Sequence, residues 1–282
     1  MKKHIFHLLI ALILLSVLCG CSSEKSRVEE ALNKLKSQDS FCLNVDMSAT
    51  ADAENLGTTE VKLHYDINTE AGTGSAIAMW MNMGNVQFNL DEEIRMDIYI
   101  IGDKVYVHCP QITDQYIDHT SIYPQIASEV LGMDMAALDF DIDSAKLNYS
   151  ESTITYQDKE TDVLMVGVVL NDVQLTELIQ TLARQSFSSD TLLVGSSEAA
   201  EIYETLEVES GEYILYLDDE DNILSFFVHA VFSLDVSGQD VRYDMGIRYD
   251  IVATGDEVTV ELPDIRPEDT ISYEALQEYT AG

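Results

Sequence analysis

Carboxylates, histidines and cysteines are the side chains whose types could carry chemistry here, and their spacing decides what chemistry that is. In LYLDDEDNIL, residues 215–224, Asp218, Asp219, Glu220 and Asp221 crowd four carboxylates into one turn, a set that could hold calcium through several oxygens. The stretch lacks the glycine at loop position six and the closing glutamate of an EF-hand, so a solvated hairpin turn is the preferred reading. Asp139, Asp141 and Asp143, and the pair Glu198 and Glu201, supply enough acid for hydrolysis, but no partner base or aromatic platform accompanies them. His64, His108, His119 and His229 stand alone in the sequence. Gly195-Ser196-Ser197 is not a GxSxG elbow, and neither HExxH nor GxxxxGK occurs, so nucleophile, base and orienting group do not assemble. No catalytic residue, metal ligand or cofactor is nominated. The expectation is a protein that performs no chemistry, with hydrolysis as an alternative.

Cysteine chemistry points to location instead. Lys2 and Lys3 precede a nearly uncharged run from Ile5 to Leu18, too short to span a bilayer as a helix and of the length of a secretory h-region. Leu18-Cys19-Gly20-Cys21 then resembles the bacterial lipobox, in which the chain is cleaved before a cysteine whose thiol takes a diacylglycerol. That resemblance implies a signal peptide over 1–20, lipidated Cys21 with a tether over 21–26, and acyl chains, palmitate among them, holding the protein at the extracytoplasmic face of the cell membrane. Cys42 and Cys109 would remain as an even pair in an exported protein, either bridged or buried as thiols.

Cleavage at that point takes away Lys2 and Lys3 and no acid, leaving 13 basic against 51 acidic residues and a net charge near −38. Such a surface repels nucleic acid and anionic headgroups at long range, so no nucleic-acid partner is expected. Disorder is excluded by the Tyr, Val, Ile, Leu and Phe that recur in short alternating runs, and the mature length can bury a substantial core.

Those runs set the elements. Arg27 to Lys36 predicts a helix with Val28, Leu32 and Leu35 on one face. Strand periodicity follows in Phe41–Met47, Val61–Ile67, Ser75–Met83, Val86–Leu90 and Ile94–Ile100, with a hairpin at Gly102-Asp103 returning through Val105 and Val107. Short helices are predicted over Tyr123–Leu131 and Met133–Leu138. A strand pair is predicted at Lys146–Tyr149 and Ser152–Tyr156, then a strand over Asp162–Leu170. Asn171 or Asp172 would cap a helix to about Ala183, and Ser196 or Ser197 another to Leu206. Glu212–Leu217, Ile223–Leu234, Val241–Val252 and Glu257–Leu262 complete the strands, closed by Pro263 and Pro267. With too few helices to cover both faces of a parallel sheet, the fold class is α+β, a large curved antiparallel sheet with helices on its concave side.

Two stretches carry a wider resemblance. IYIIGDKVYVHCPQITDQYIDHT, residues 98–120, and YILYLDDEDNILSFFVHAVFSLDV, residues 213–236, are similar to hairpins of Gram-positive lipoproteins in the LolA/LppX-like superfamily. The resemblance implies a half-barrel of ten or eleven strands over residues 27–262, a C-terminal tail over 263–282, and a hydrophobic cavity of the kind that binds acyl chains or other lipids. Tyr116 and Ile117 stand where many relatives carry a Trp-Tyr pair, and a lipid anchor of its own departs from the soluble periplasmic carrier.

Within that frame, Met79, Trp80, Met81 and Met83 in AIAMWMNMG form a polarizable cluster able to line a lipid pocket from alternate sides of a strand. Phe226, Phe227 and Phe232 are candidates for the same lining, and core packing is the competing reading for both groups. Arg95, Arg242 and Arg248 are rare cations within strands; one facing inward would demand a partner. The expected partners are therefore a membrane, reached through Cys21, and a lipid or other hydrophobic ligand. The alternative is a cell-surface structural or interaction module with a filled core.

Overall fold

The helical period of the first element stops at Ser37 and Gln38, and a two-residue period takes over at Phe41. The computed structural model describes residues 24–53, 57–85, 90–120, 142–188, 205–236, 238–273 and 275–276. Helix α1 spans 24–36 and buries Val28, Ala31, Leu32 and Leu35, the stripe its spacing predicts. The amide of Ser37 closes on the Asn33 carbonyl at 3.0 Å and that of Gln38 on Leu35 at 3.1 Å, ending it.

Twelve strands follow among the described residues: β1 Phe41–Ala53, β2 Gly57–Glu70, β3 Gly74–Asn85, β4 Leu90–Ile101, β5 Lys104–His108 and β6 Tyr116–Asp118. After them come β7 Lys146–Tyr156, β8 Lys159–Val169, β9 Glu207–Leu217, β10 Ile223–Val236, β11 Gln239–Thr254 and β12 Thr270–Ser272. They form one sheet in the order β12-β6-β5-β4-β3-β2-β1-β11-β10-β9-β8-β7. Every pairing is antiparallel except β12 with β6, and the sheet is open, ending at β12 and β7.

Helix α2, Asp172–Ser188, is opened by a reciprocal cap: Asn171 Oδ1 accepts from the Gln174 amide at 3.0 Å, and the Asn171 amide donates to Gln174 Oε1 at 3.1 Å. It runs five residues beyond the expected end at Ala183 and buries Leu178 and Ile179. Its Leu175 sits against Gly211 of β9, where an added Cβ would come within 2.5 Å of Leu175 Cδ1. Glycine at 211 is what lets the helix lie this close to the sheet.

Three expectations are corrected. Lys146–Tyr156 is a single strand, paired with β8 along its whole length, because the Ser150-Glu151 stretch continues the ladder instead of turning. Glu257–Leu262 belongs to no strand: Val258 and Val260 alternate because both are buried, and the Val260 amide donates to the Glu70 carboxylate at 3.3 Å rather than to a neighbouring backbone. The sheet does not stop at Pro263, since Ile271 pairs with Ile117 and adds the parallel edge strand that makes twelve. Of the two states left open for Cys42 and Cys109, the structure has free thiols, Cys109 buried and Cys42 partly so. They lie on β1 and just after β5, four strand spacings or roughly 19 Å apart, far beyond disulfide reach. Residues 1–23, 86–89, 121–141 and 189–204, which carry the leader, the lipobox, all of the Val86–Leu90 strand but Leu90, both mid-chain helices and most of the Ser196-capped one, lie outside the described residues.

Candidate functional site

Strand alternation and cross-strand register together decide which side chains share a face. One register row runs across eight strands: Val166, Leu215, Phe226, Tyr249, Val45, Tyr65, Met79 and Met96. This is the inner face, on which α1 and α2 sit. Along β8 to β11 and β1 it is mostly filled: Val166 and Leu215 are fully buried, Phe226 is 1% exposed and stacks on the partly exposed Tyr249 at 4.3 Å, and Val45 is buried. Val28, Leu32 and Leu35 of α1 and Leu178 and Ile179 of α2 complete that cluster.

Across β2 to β5 the same face stays apolar but is not closed. Leu63, Tyr65, Met81, Ile94, Met96, Ile98 and Val107 are each partly exposed, although Ile77, Met79, Ile100 and Val105 between them are buried. Neighbouring rows keep it apolar throughout: Leu43, Ile67, Ile77, Ile98 and Val107 in one, and Met47, Leu63, Met81 and Ile94 in the next.

The residues singled out by sequence are thus divided. Met79 and Met81 face inward over the partly covered half, and Met83 occupies the matching register position. Phe226 and Phe232 face inward too, but within the filled half, where Phe232 is fully buried and stacks on Tyr243 at 5.3 Å. Trp80 and Phe227 point to the opposite face. They close a second row that sequence reading did not identify: Phe227, Arg248, Asp46, His64, Trp80 and Arg95, in register across six strands. An open cleft of about 390 Å³ lies along it and the adjoining row of Gly246, Ser48, Lys62 and Asn82. The signal was present in the chain as Trp80 and Gly246, but only the register of four strands brings them together.

All three candidate arginines lie on this outer face, each with a carboxylate. Arg95 meets Asp97 at 3.3 Å, Arg248 Nε donates to Asp250 at 2.9 Å, and Arg242 makes a two-pronged pair with Glu209 at 3.1 Å. His64 lies between Asp46 at 2.7 Å and Asp66 at 3.2 Å; His229 meets Asp244 at 2.8 Å, and His108 lies 3.7 Å from Asp97. His119 is buried beside the Tyr273 ring. Burial pushes the Cys42 thiol and the Tyr213 hydroxyl above their ordinary values, Tyr213 far above, which keeps both neutral at physiological pH.

The acidic turn at 218–221 is organised by its own backbone. Asp218 Oδ1 accepts from the amides of Glu220 at 2.9 Å and Asn222 at 2.7 Å, and Asp221 accepts from Arg27 Nε of α1 at 2.6 Å. Among the described residues no group of three His, Cys, Asp or Glu is placed to hold a metal ion. Asp143 pairs with Lys25 at 2.8 Å; Asp139, Asp141, Glu198 and Glu201 lie outside the described residues.

No family profile matches the chain, and no curated protein matches it by sequence. Among solved structures it is similar to LprF from Mycobacterium bovis, at 10% identity over 86% of this chain and 97% of that one, with a TM-score of 0.40. It is also similar to lipovitellin, at 8% identity over 81% of this chain and 26% of that one, with a TM-score of 0.32. A LolA superfamily protein from Nitrosomonas europaea is similar at 13% identity over 85% of this chain and 94% of that one, with a TM-score of 0.24.

Proposed function

We propose that this chain is an extracytoplasmic protein, held at a membrane by lipid on Cys21, that shelters a lipid or other acyl-chain ligand on its inner face and performs no chemistry on it. The observation that carries this reading is that partly exposed apolar side chains, among them Leu63, Tyr65, Met81 and Met96, are commoner on the inner face of β2–β5 than on β8–β11, where Val166 and Leu215 are fully buried. An apolar surface continuous with a core but less closed than it is the kind of site that holds a hydrophobic ligand. Met79, Met81 and Met96 suit the task, because unbranched thioethers repack around chains of differing shape. In this reading residues 1–20 are removed, 21–26 form the tether, and the ligand is exchanged locally rather than shuttled between two membranes.

Native mass spectrometry of the Cys21→Ser chain, secreted and washed free of detergent, tests it. A stoichiometric lipid mass released on denaturation is the expected result. Bare protein, still bare after incubation with cell-envelope lipids, would sink the proposal and favour an interaction module.

A further inference from the structure

Helix α1 starts at Glu24 and joins the core at once: Val28 is fully buried, with Ala31, Leu32 and Leu35 behind it. Its first turn touches two other parts of the chain. Lys25 Nζ donates to Asp143, just ahead of β7, at 2.8 Å, and Arg27 Nε donates to Asp221 of the β9–β10 turn at 2.6 Å. Exposed pairs of this kind add little stability, so it is the buried stripe that fixes the helix. The two bonds show which surface its start lies beside. That start is a fixed point of the domain rather than the end of a loose linker.

We propose that this side of the molecule, the first turn of α1 with Asp143 and the acidic turn at 218–221, is the surface that faces the bilayer. The inference rests on lipid at Cys21. Glu24 is only three residues on from that cysteine, at most about 11 Å of fully extended chain, so the helix start stands no further than that from the point of attachment. The domain goes where the helix goes, because Val28, Leu32 and Leu35 belong to the same cluster as Leu215 and Phe226. Charge does not choose this face. Asp218, Asp219, Glu220 and Asp221 crowd it, Lys25 and Arg27 are already held by carboxylates, and the net charge of −36 gives it no attraction for anionic headgroups. Acyl chains supply the hold, and the shortness of the chain ahead of α1 supplies the orientation. Salt screens the turn's carboxylates over about 8 Å, less than the tether's reach, so their repulsion does not prevent the approach. The face held in this way backs the filled half of the sheet. The partly exposed half, β2–β5, begins three strand spacings from β10, roughly 14 Å along the sheet, and stands to one side of the anchor.

The chain's own carboxylates are the probes. The acylated protein in phosphatidylcholine vesicles and the Cys21→Ser chain in solution are labelled with a carbodiimide and glycine ethyl ester, and each site is read by peptide mass spectrometry. Asp143, Asp219 and Glu220 are exposed beside the helix start, whereas Asp103 and Asp114 are exposed at β4–β5 and β5–β6, roughly 24 Å or more from β10 along the sheet. On vesicles, labelling at the first three is expected to fall about threefold, since they lie within the tether's reach of the headgroups, and labelling at the other two to stay unchanged. Inserting about twenty Gly and Ser residues after Ser23 adds roughly 25 Å of reach and restores the lost labelling. An equal fall at all five sites, a fall confined to Asp103 and Asp114, or a fall at Asp219 and Glu220 that survives the insertion would overturn the proposal. The mass of the chain reads acylation by itself. Where the cell adds no lipid, the anchor reading fails, and the same labelling on a chain coupled at residue 21 to a maleimide lipid judges the orientation separately.

Discussion

Matched alanine substitutions on the two halves of the inner face measure whether one half is filled and the other is not. Phe226 is 1% exposed and stacks on Tyr249 at 4.3 Å and, further off, on Tyr213 at 6.4 Å. Truncation there loses the transfer free energy of the ring and leaves a cavity between fixed neighbours, about 3–5 kcal/mol. For a domain of this length each kcal/mol lowers Tm by about 2–4 °C, so Phe226→Ala is expected to fall by roughly 10 °C. Met96 lies in the same register row but is partly exposed, with water already reaching it. Met96→Ala therefore forfeits only the buried share of one side chain, about 1 kcal/mol, or roughly 3 °C. Binding of the apolar probe N-phenyl-1-naphthylamine is read beside stability. Met96→Gln, which puts an amide into that face, is expected to weaken the probe about tenfold, by the cost of desolvating a polar group. Phe226→Ala leaves probe binding at β2–β5 unchanged at temperatures where the variant is folded. Equal losses of stability for Phe226→Ala and Met96→Ala would refute the reasoning, because they would mean that the inner face is packed to one density from end to end.

Three further outcomes follow from local geometry. Asn171→Ala removes one arm of the α2 cap and costs about 1 kcal/mol in urea unfolding, while Asn171→Asp keeps the acceptor and most of the stability. Ellman's reagent in denaturant should find two thiols, Cys42 and Cys109, in the Cys21→Ser chain beginning at residue 21; in the native state the Cys42 thiol, raised by burial, should react more slowly at pH 8 than free cysteine, and a bridge in the mass spectrum would contradict the sheet order. At alkaline pH the tyrosines set the sign: burial raises Tyr213, Tyr243 and Tyr156 above their unfolded value near 10, so the folded state keeps protons that the unfolded state gives up. Stability from these groups is whole below about pH 10 and declines above it, and the part of the phenolate absorbance at 295 nm that Tyr213 supplies should appear only on unfolding.

Much of the architecture was legible because most strands have a wet face and a dry one. Phe41, Leu43, Val45 and Met47 alternate with polar or half-exposed residues, and all four are buried on the inner face. The same rule misleads where burial alternates without pairing, as at Val258 and Val260, whose neighbours are a side-chain carboxylate and the β2–β3 turn instead of a strand. It also misses β12, three residues long and beyond two prolines, which joins the sheet through Ile271 opposite Ile117. The cysteine pair was undecided in the sequence for a different reason: evenness permits a bridge, but only strand order gives distance, and β2, β3 and β4 stand between β1 and β5.

The site residues were legible as types and not as places. AIAMWMNMG contains both an apolar lining and an aromatic wall, yet a period of two forbids them from serving one pocket: Met79 and Met81 must face one side of β3, Trp80 and Asn82 the other. Register then gives each set its neighbours. Tyr65 and Met96 flank Met79 inside, while His64 and Arg95 flank Trp80 outside. The two faces share a backbone, so Met81→Gln should act chiefly on an apolar ligand at the inner face, whereas a substitution at Asn82 leaves that face unaltered. A one-residue slip of β3 would carry Trp80 inward and Met79 and Met81 into water. The apolar pairs along rows Ile67–Ile77–Ile98 and Leu63–Met81–Ile94 oppose that slip, so the packing that shapes the inner surface also fixes where Trp80 stands on the outer one.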